Sequence, residues 1–201
     1  MEAGERKRIQ TSLQAAGAAL HPARKLLIVS PVGRILRGFC IEDSSDTRRV
    51  YVWAFVQPLF VPSATVVLSL GRRLGGGSRT WSSAEVEAAA SALRAEGDAF
   101  FGAIASPQAL ASWDLLGDRR DEHAREVRGF ALVAAERYVD GARSLRAFAR
   151  GLPAAGPAWM SEMGARAEVL AHAAETDGDA AQARLRAWEA STRAAIGVAV
   201  P

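Results

Sequence analysis

The chain has little of what usually announces chemistry. It holds one cysteine, Cys40, in 201 residues, so no disulfide can form within it, and the expected compartment is the cytoplasm. Its three histidines, His21, His123 and His172, lie far apart in sequence. Only Asp121-Glu122-His123 crowds potential ligands together, and acidic residues at a helix start are explained by the helix dipole, so no metal and no cofactor is expected. Lysine is confined to Lys7 and Lys25, and nearly all the positive charge is arginine. With the heavy use of Ala and Gly, this reads as the codon bias of a GC-rich bacterial genome. No apolar run approaches the roughly 18 residues that span a bilayer. The longest, Val50 to Phe60, contains Gln57 and Pro58 and fits a buried strand better, so no membrane partner is expected. Met1 to Arg8 is basic but no apolar core follows it, which argues against a secretory signal. There is no Gly-x-Ser-x-Gly elbow, no phosphate loop ending in Gly-Lys-Ser/Thr and no dinucleotide fingerprint. Nothing marks the chain as an enzyme.

What is present is a core and a pattern. Hydrophobic residues make up 49% of the chain, enough for a substantial interior. The net charge of +3 is divided unevenly. Residues 1–80 carry 12 Lys/Arg against 5 Asp/Glu, and residues 81–201 carry 13 Arg against 17 Asp/Glu. The two halves either attract partners of opposite sign or neutralise each other.

Ile9, Leu13, Ala16, Gly17 and Leu20 recur at helical spacing and predict a helix over 5–21, closed by His21-Pro22. Four strands follow, at Leu26–Val29, Ile35–Glu42, Val50–Val56 and Thr65–Leu70, joined by connections short enough for hairpins. Ser82 and Glu85 form a capping box that opens a helix to about Ile104, expected to cover one face of the sheet. Ser106-Pro107 starts a short helix, and a long one is predicted over 121–152. Residues 151–157, rich in Gly and Pro, end it, and two more helices follow, at 159–175 and 179–196. The fold class is therefore α+β: a small, four-stranded, mostly antiparallel sheet packed by helices, then an antiparallel, repeat-like helical part. We place the sheet domain at 1–117 and the helical domain at 118–201.

Asp177-Gly178-Asp179-Ala180-Ala181-Gln182-Ala183 resembles the turn inside a tetratricopeptide repeat. Ala167, Leu170, Ala171 and Ala174 stand before it, and Ala183 and Ala187 after it, where that repeat packs small and apolar residues. Arg137 to Pro153 resembles the second helix of an earlier unit, at a spacing longer than the roughly 34 residues of the standard repeat. Separately, Trp53 to Pro62 and Leu68 to Leu74 resemble an uncharacterised bacterial α+β family, over residues 26–105. Some related small families act in toxin immunity or defence loci; the resemblance transfers no catalytic residue and bears on the fold more than on function.

The candidate binding residues are Arg72, Arg73 and Arg79, in the Gly-rich loop before the Ser82 helix, and Trp81 beside them. Free N–H groups and three guanidiniums suit a small anion, whereas an exposed Trp beside Arg suits a protein interface. A flexible connector with solvated arginines accounts for the same residues. The leading expectation is a non-catalytic interaction protein with a protein partner. A small-ligand or enzymatic use of the Arg/Gly loop, and nucleic-acid binding by the basic half, are the alternatives.

Overall fold

The computed structural model describes residues 3–15, 20–23, 26–114, 116 and 121–197. The chain divides into two compact units, one of Met1–Gln57 and Val67–Ala103, the other of Pro58–Val66 and Ile104–Val200.

The first unit is a sheet with two helices. Its strands run in chain order, β1 (Leu20–Ala23), β2 (Leu26–Val29), β3 (Ile35–Asp43), β4 (Val50–Pro58) and β5 (Gly71–Arg73). β1 pairs with β2, β2 with β3 and β4 with β5, all antiparallel, with Leu27 opposite Phe39 and Trp53 opposite Arg73. The expected four strands correspond to β2–β5, and β1 extends the sheet by one. Of the helix expected over 5–21, α1 is described over Ala3–Ala15, Ala16 and Gly17 lie outside the described residues, and Leu20 and His21 belong to β1. Pro22 is tolerated there since β1 is an edge strand, where a missing N–H costs little. The fourth strand lies at Gly71–Arg73 rather than Thr65–Leu70. The Val67 N–H is taken by the Gln57 side chain (3.0 Å), and Leu70 O accepts from Val56 N, so the ladder begins only at the end of the β-branched run.

The second helix, α2 (Ser83–Gly102), starts at the capping box formed by Ser82 and Glu85. It lies on the sheet through Phe101, edge-on to Phe39 at 5.3 Å. Gly97 permits this approach: a Cβ there would sit 2.4 Å from the Phe39 ring. Ile9 and Leu13 of α1 are fully buried, and α1 packs against α2. Phe39, Phe55, Leu36 and Ile41 are also fully buried, each worth roughly 1.5–3 kcal/mol relative to exposure. Cys40 is also buried.

The second unit is helical: α3 (Pro107–Ala111), α4 (Glu122–Ala134), α5 (Tyr138–Arg150), α6 (Ala158–Thr176) and α7 (Gly178–Ile196). α3 packs against α4, although the boundary drawn at 117/118 puts it with the sheet. The long helix expected over 121–152 is two helices. The chain reverses at Glu136, which adopts φ 62°, a left-handed conformation. Close packing drives the reversal: a Cβ on Gly129 would lie 2.5 Å from Leu145 Cδ2, and one on Gly141 2.5 Å from Val133 Cγ2. The two glycines let α4 and α5 meet almost backbone to backbone.

α6 and α7 form a second hairpin, hinged at Asp177, whose carboxylate accepts from Asp179 N (2.9 Å) and Ala180 N (3.1 Å). The hairpins share one burial pattern. Val127, Phe130, Ala131, Ala134, Gly141 and Leu145 are buried, and so are Ala167, Leu170, Ala171, Ala174, Ala181 and Leu185, each 40 residues further on. Buried Thr192 on α7 holds the 58–66 segment, accepting from Ser63 N (3.3 Å) and donating to Val61 O (3.4 Å).

Candidate functional site

The residues singled out in the Gly-rich loop do not converge. Successive residues of a strand face opposite sides, and β5 sends Arg72 and Arg73 apart. Arg72 reaches the α2 side, 5.2 Å over the Phe100 ring, and lies 3.6 Å from Glu96 Oε1. The Gly75 N–H donates to Glu96 Oε2 at 2.9 Å, so the protein's own carboxylate sits where an incoming anion was expected. Arg73 stacks 3.8 Å over Tyr51 and 4.9 Å over Trp53, with Nη2 3.8 Å from Glu42; the Trp53 indole N–H donates to the same carboxylate at 2.8 Å. Arg79 lies 3.9 Å over the Trp81 ring.

Trp81 itself is a correction to the sequence reading. It is 3% exposed and cannot serve as a surface anchor. Its backbone pairs with Val50 through two 2.8 Å hydrogen bonds, and its indole packs against Gly75, where a Cβ would come within 2.1 Å of Trp81 Cζ2. The glycine at φ 75° therefore lets the loop fold over the indole. Arg49 anchors the far end of the loop, donating to Thr80 Oγ1 (2.7 Å) and pairing with Glu85 (2.9 Å).

An open groove lies elsewhere, on the helical unit. It encloses about 430 Å³ between α5 and α6 and is lined by Val139, Ala142, Arg143, Arg146, Arg150, Ala174 and Glu175. Arg143, Arg146 and Arg150 are three and four residues apart, which puts them on one side of α5. Arg146 bridges the helices. Its guanidinium forks onto Glu175 (Nε to Oε1 2.9 Å, Nη2 to Oε2 2.6 Å) and also donates to Glu168. The Arg146 hydrogen bond holds the Glu175 carboxyl below its ordinary range, and Glu175 in turn pushes the guanidinium up. Arg143 is 73% exposed, and its one ion pair among the described residues is with Asp140, at 3.2 Å on its own helix. Arg150 is exposed and has no ion-pair partner among the described residues. Val139 is 73% exposed, a large apolar side chain left in solvent at one end of the groove.

Glu126 on α4 is the third cluster. It is fully buried and is forked by Arg166 of α6, with Nη2 to Oε2 at 2.8 Å. His123 Nδ1 stands 4.0 Å from the same carboxylate. Burial raises the Glu126 carboxyl against the opposing pull of Arg166, and burial lowers His123. With no exposed surface, Glu126 meets no substrate; the pair ties the first hairpin to the second. Among the described residues no three His, Cys, Asp or Glu side chains come together as a metal site. No described helix is long and apolar enough to cross a membrane.

No protein-family model, curated protein or solved structure matches the chain. The groove residues were not singled out in the sequence, where 121–152 reads as one helix with its apolar stripe turned to a core. The available signal was the 143, 146, 150 spacing of arginines flanked by Val139 on the polar side.

Proposed function

We propose that the chain is a non-catalytic protein-interaction protein and that its helical unit carries the docking surface. One observation supports this above the others: Val139, 73% exposed, stands at an open groove whose wall is already held by Arg146 between Glu168 and Glu175. A groove fixed before the partner arrives loses less freedom on binding. An exposed aliphatic side chain beside guanidiniums offers the mixture of apolar and charged contact that interface cores and rims use. The small-anion reading draws less support, because Glu96 already occupies the Gly75 N–H and faces Arg72. On the resemblance alone we place the partner in a toxin-immunity or defence setting. A reducing cytoplasm fits a lone, buried Cys40.

The test is selection of displayed random peptides against the full chain. Enriched peptides should lose binding to Val139→Asp and keep it for Arg73→Gln, on the sheet unit. Enrichment that Val139→Asp leaves untouched, or no enrichment at all, contradicts the proposal.

A further inference from the structure

Resting on that reading, we infer that the groove between α5 and α6 takes an acidic amphipathic segment, which sets carboxylates on Arg143 and Arg150 and an aliphatic side chain on Val139. The argument begins with charge. α5 carries three arginines against one acid, Asp140, within a half of the chain that is net acidic. Asp140, Glu168 and Glu175 equal the three arginines in number, but the two carboxylates of α6 converge on Arg146, so the positive charge left for an incoming group lies at Arg143 and Arg150.

The three arginines are not equivalent. Arg146 is consumed by Glu168 and Glu175 and acts as part of the wall. Among the described residues, Arg143 makes one ion pair, an exposed contact to Asp140 on its own helix, the kind of pair that an incoming carboxylate displaces at little cost. Arg150 has no ion-pair partner among the described residues. The two available guanidiniums flank Arg146 and lie seven residues apart, about 10.5 Å along the helix at 1.5 Å per residue. Val139 is one turn before Arg143.

These spacings define the occupant. A helix lying alongside α5 would present an aliphatic residue opposite Val139, an acid one turn further on and a second acid two turns beyond that. A nucleic acid would meet the same arginines and carboxylates as an acidic helix, but it would find no use for the exposed Val139.

The test titrates the full chain against three fluorescent peptides and one single-stranded DNA. The first peptide is a Leu/Ala/Glu helix with the spacing above. The second has each Glu replaced by Gln, and the third has each Glu replaced by Lys. The acidic peptide should bind, weaken as salt rises and lose at least tenfold in affinity with Arg143→Gln/Arg150→Gln and with Val139→Asp. The Lys peptide should fail against the native chain and recover binding to Arg143→Glu/Arg150→Glu. Circular dichroism of each variant should match the native chain, since the replaced side chains are exposed. Equal binding of the Gln peptide, tighter binding of the DNA, or no binding of the acidic peptide overturns the acidic occupant. Neutral or basic peptides that bind and lose affinity with Val139→Asp overturn this inference and leave the docking surface standing; no peptide of any charge at the groove removes both.

Discussion

Arg146 of α5 and Glu175 of α6 form a two-pronged ion pair, Nη2 to Oε2 2.6 Å and Nε to Oε1 2.9 Å. The fork spans the two helices that bound the groove. Its carboxylate is held low by the Arg146 hydrogen bond, so the fork is present above the ordinary carboxylate range and is lost only as pH falls through the lowered value. Peptide affinity at the groove should therefore persist on acidification to about pH 5, where an unperturbed glutamate with pKa near 4.3 begins to protonate. In Arg146→Met the affinity should already be reduced at pH 7. Equal affinity in the variant would show that the fork does not shape the groove.

The buried Glu126–Arg166 pair gives a prediction for stability. Glu126→Ala removes a fully buried carboxylate and unpairs Arg166, which is 23% exposed and can turn to solvent, so it should cost about 1–3 kcal/mol in urea denaturation. Replacing both, as Glu126→Leu/Arg166→Met, should recover most of that loss, since an apolar pair avoids the desolvation of two charges. A double variant as unstable as Glu126→Ala would mean that the pair specifies the packing.

Acid dependence follows from the same cluster. His123 has a folded pKa below its unfolded value, so its contribution is complete above about pH 6.5 and is lost as pH falls toward the folded value. Glu126 has a folded pKa above its unfolded value, so between the two values stability rises as pH falls. The two effects oppose each other in the native chain, with Asp121 and Arg166 also acting on His123. His123→Gln removes the loss and keeps the gain. Relative to the native chain, its unfolding free energy should improve as pH is lowered from 7 to 5; a constant difference would contradict the assignment.

Glu136 should be improvable. A non-glycine residue at φ 62° pays roughly 1–2 kcal/mol, and Glu136→Gly relieves this at some cost in unfolded-state entropy, for a net gain of a few tenths to about 1 kcal/mol. Gly141→Ala acts oppositely. Its Cβ would meet Val133 Cγ2 at 2.5 Å, and overpacking of this kind costs about 1–3 kcal/mol. Thermal melts of both variants check the pair.

How much of this was legible in the sequence depended on whether the signal was local. The capping box at Ser82 and Glu85 was plain, because both partners lie within one turn. The α4–α5 reversal was not: Ala135-Glu136-Arg137 has neither Gly nor Pro, and the residues that force it, Gly129 and Gly141, act across the hairpin. The register of the last strand depends on Gln57 capturing the Val67 N–H, a contact ten residues away in the chain. Trp81 looked exposed beside arginines, yet it is Arg79 that covers the ring while Gly75 receives its edge. For the groove, the spacing of Arg143, Arg146 and Arg150 was visible. That α6 spends only the middle arginine was not.

The most direct measurement of the docking surface is backbone amide chemical-shift mapping of the full chain, titrated with the tightest peptide from the display. We predict shifts confined to Val139 through Arg150 and to Ala174 and Glu175, with Tyr51, Trp53 and Arg73 unmoved. Shifts centred on the Gly71 to Trp81 loop, with the α5–α6 groove silent, would contradict the account.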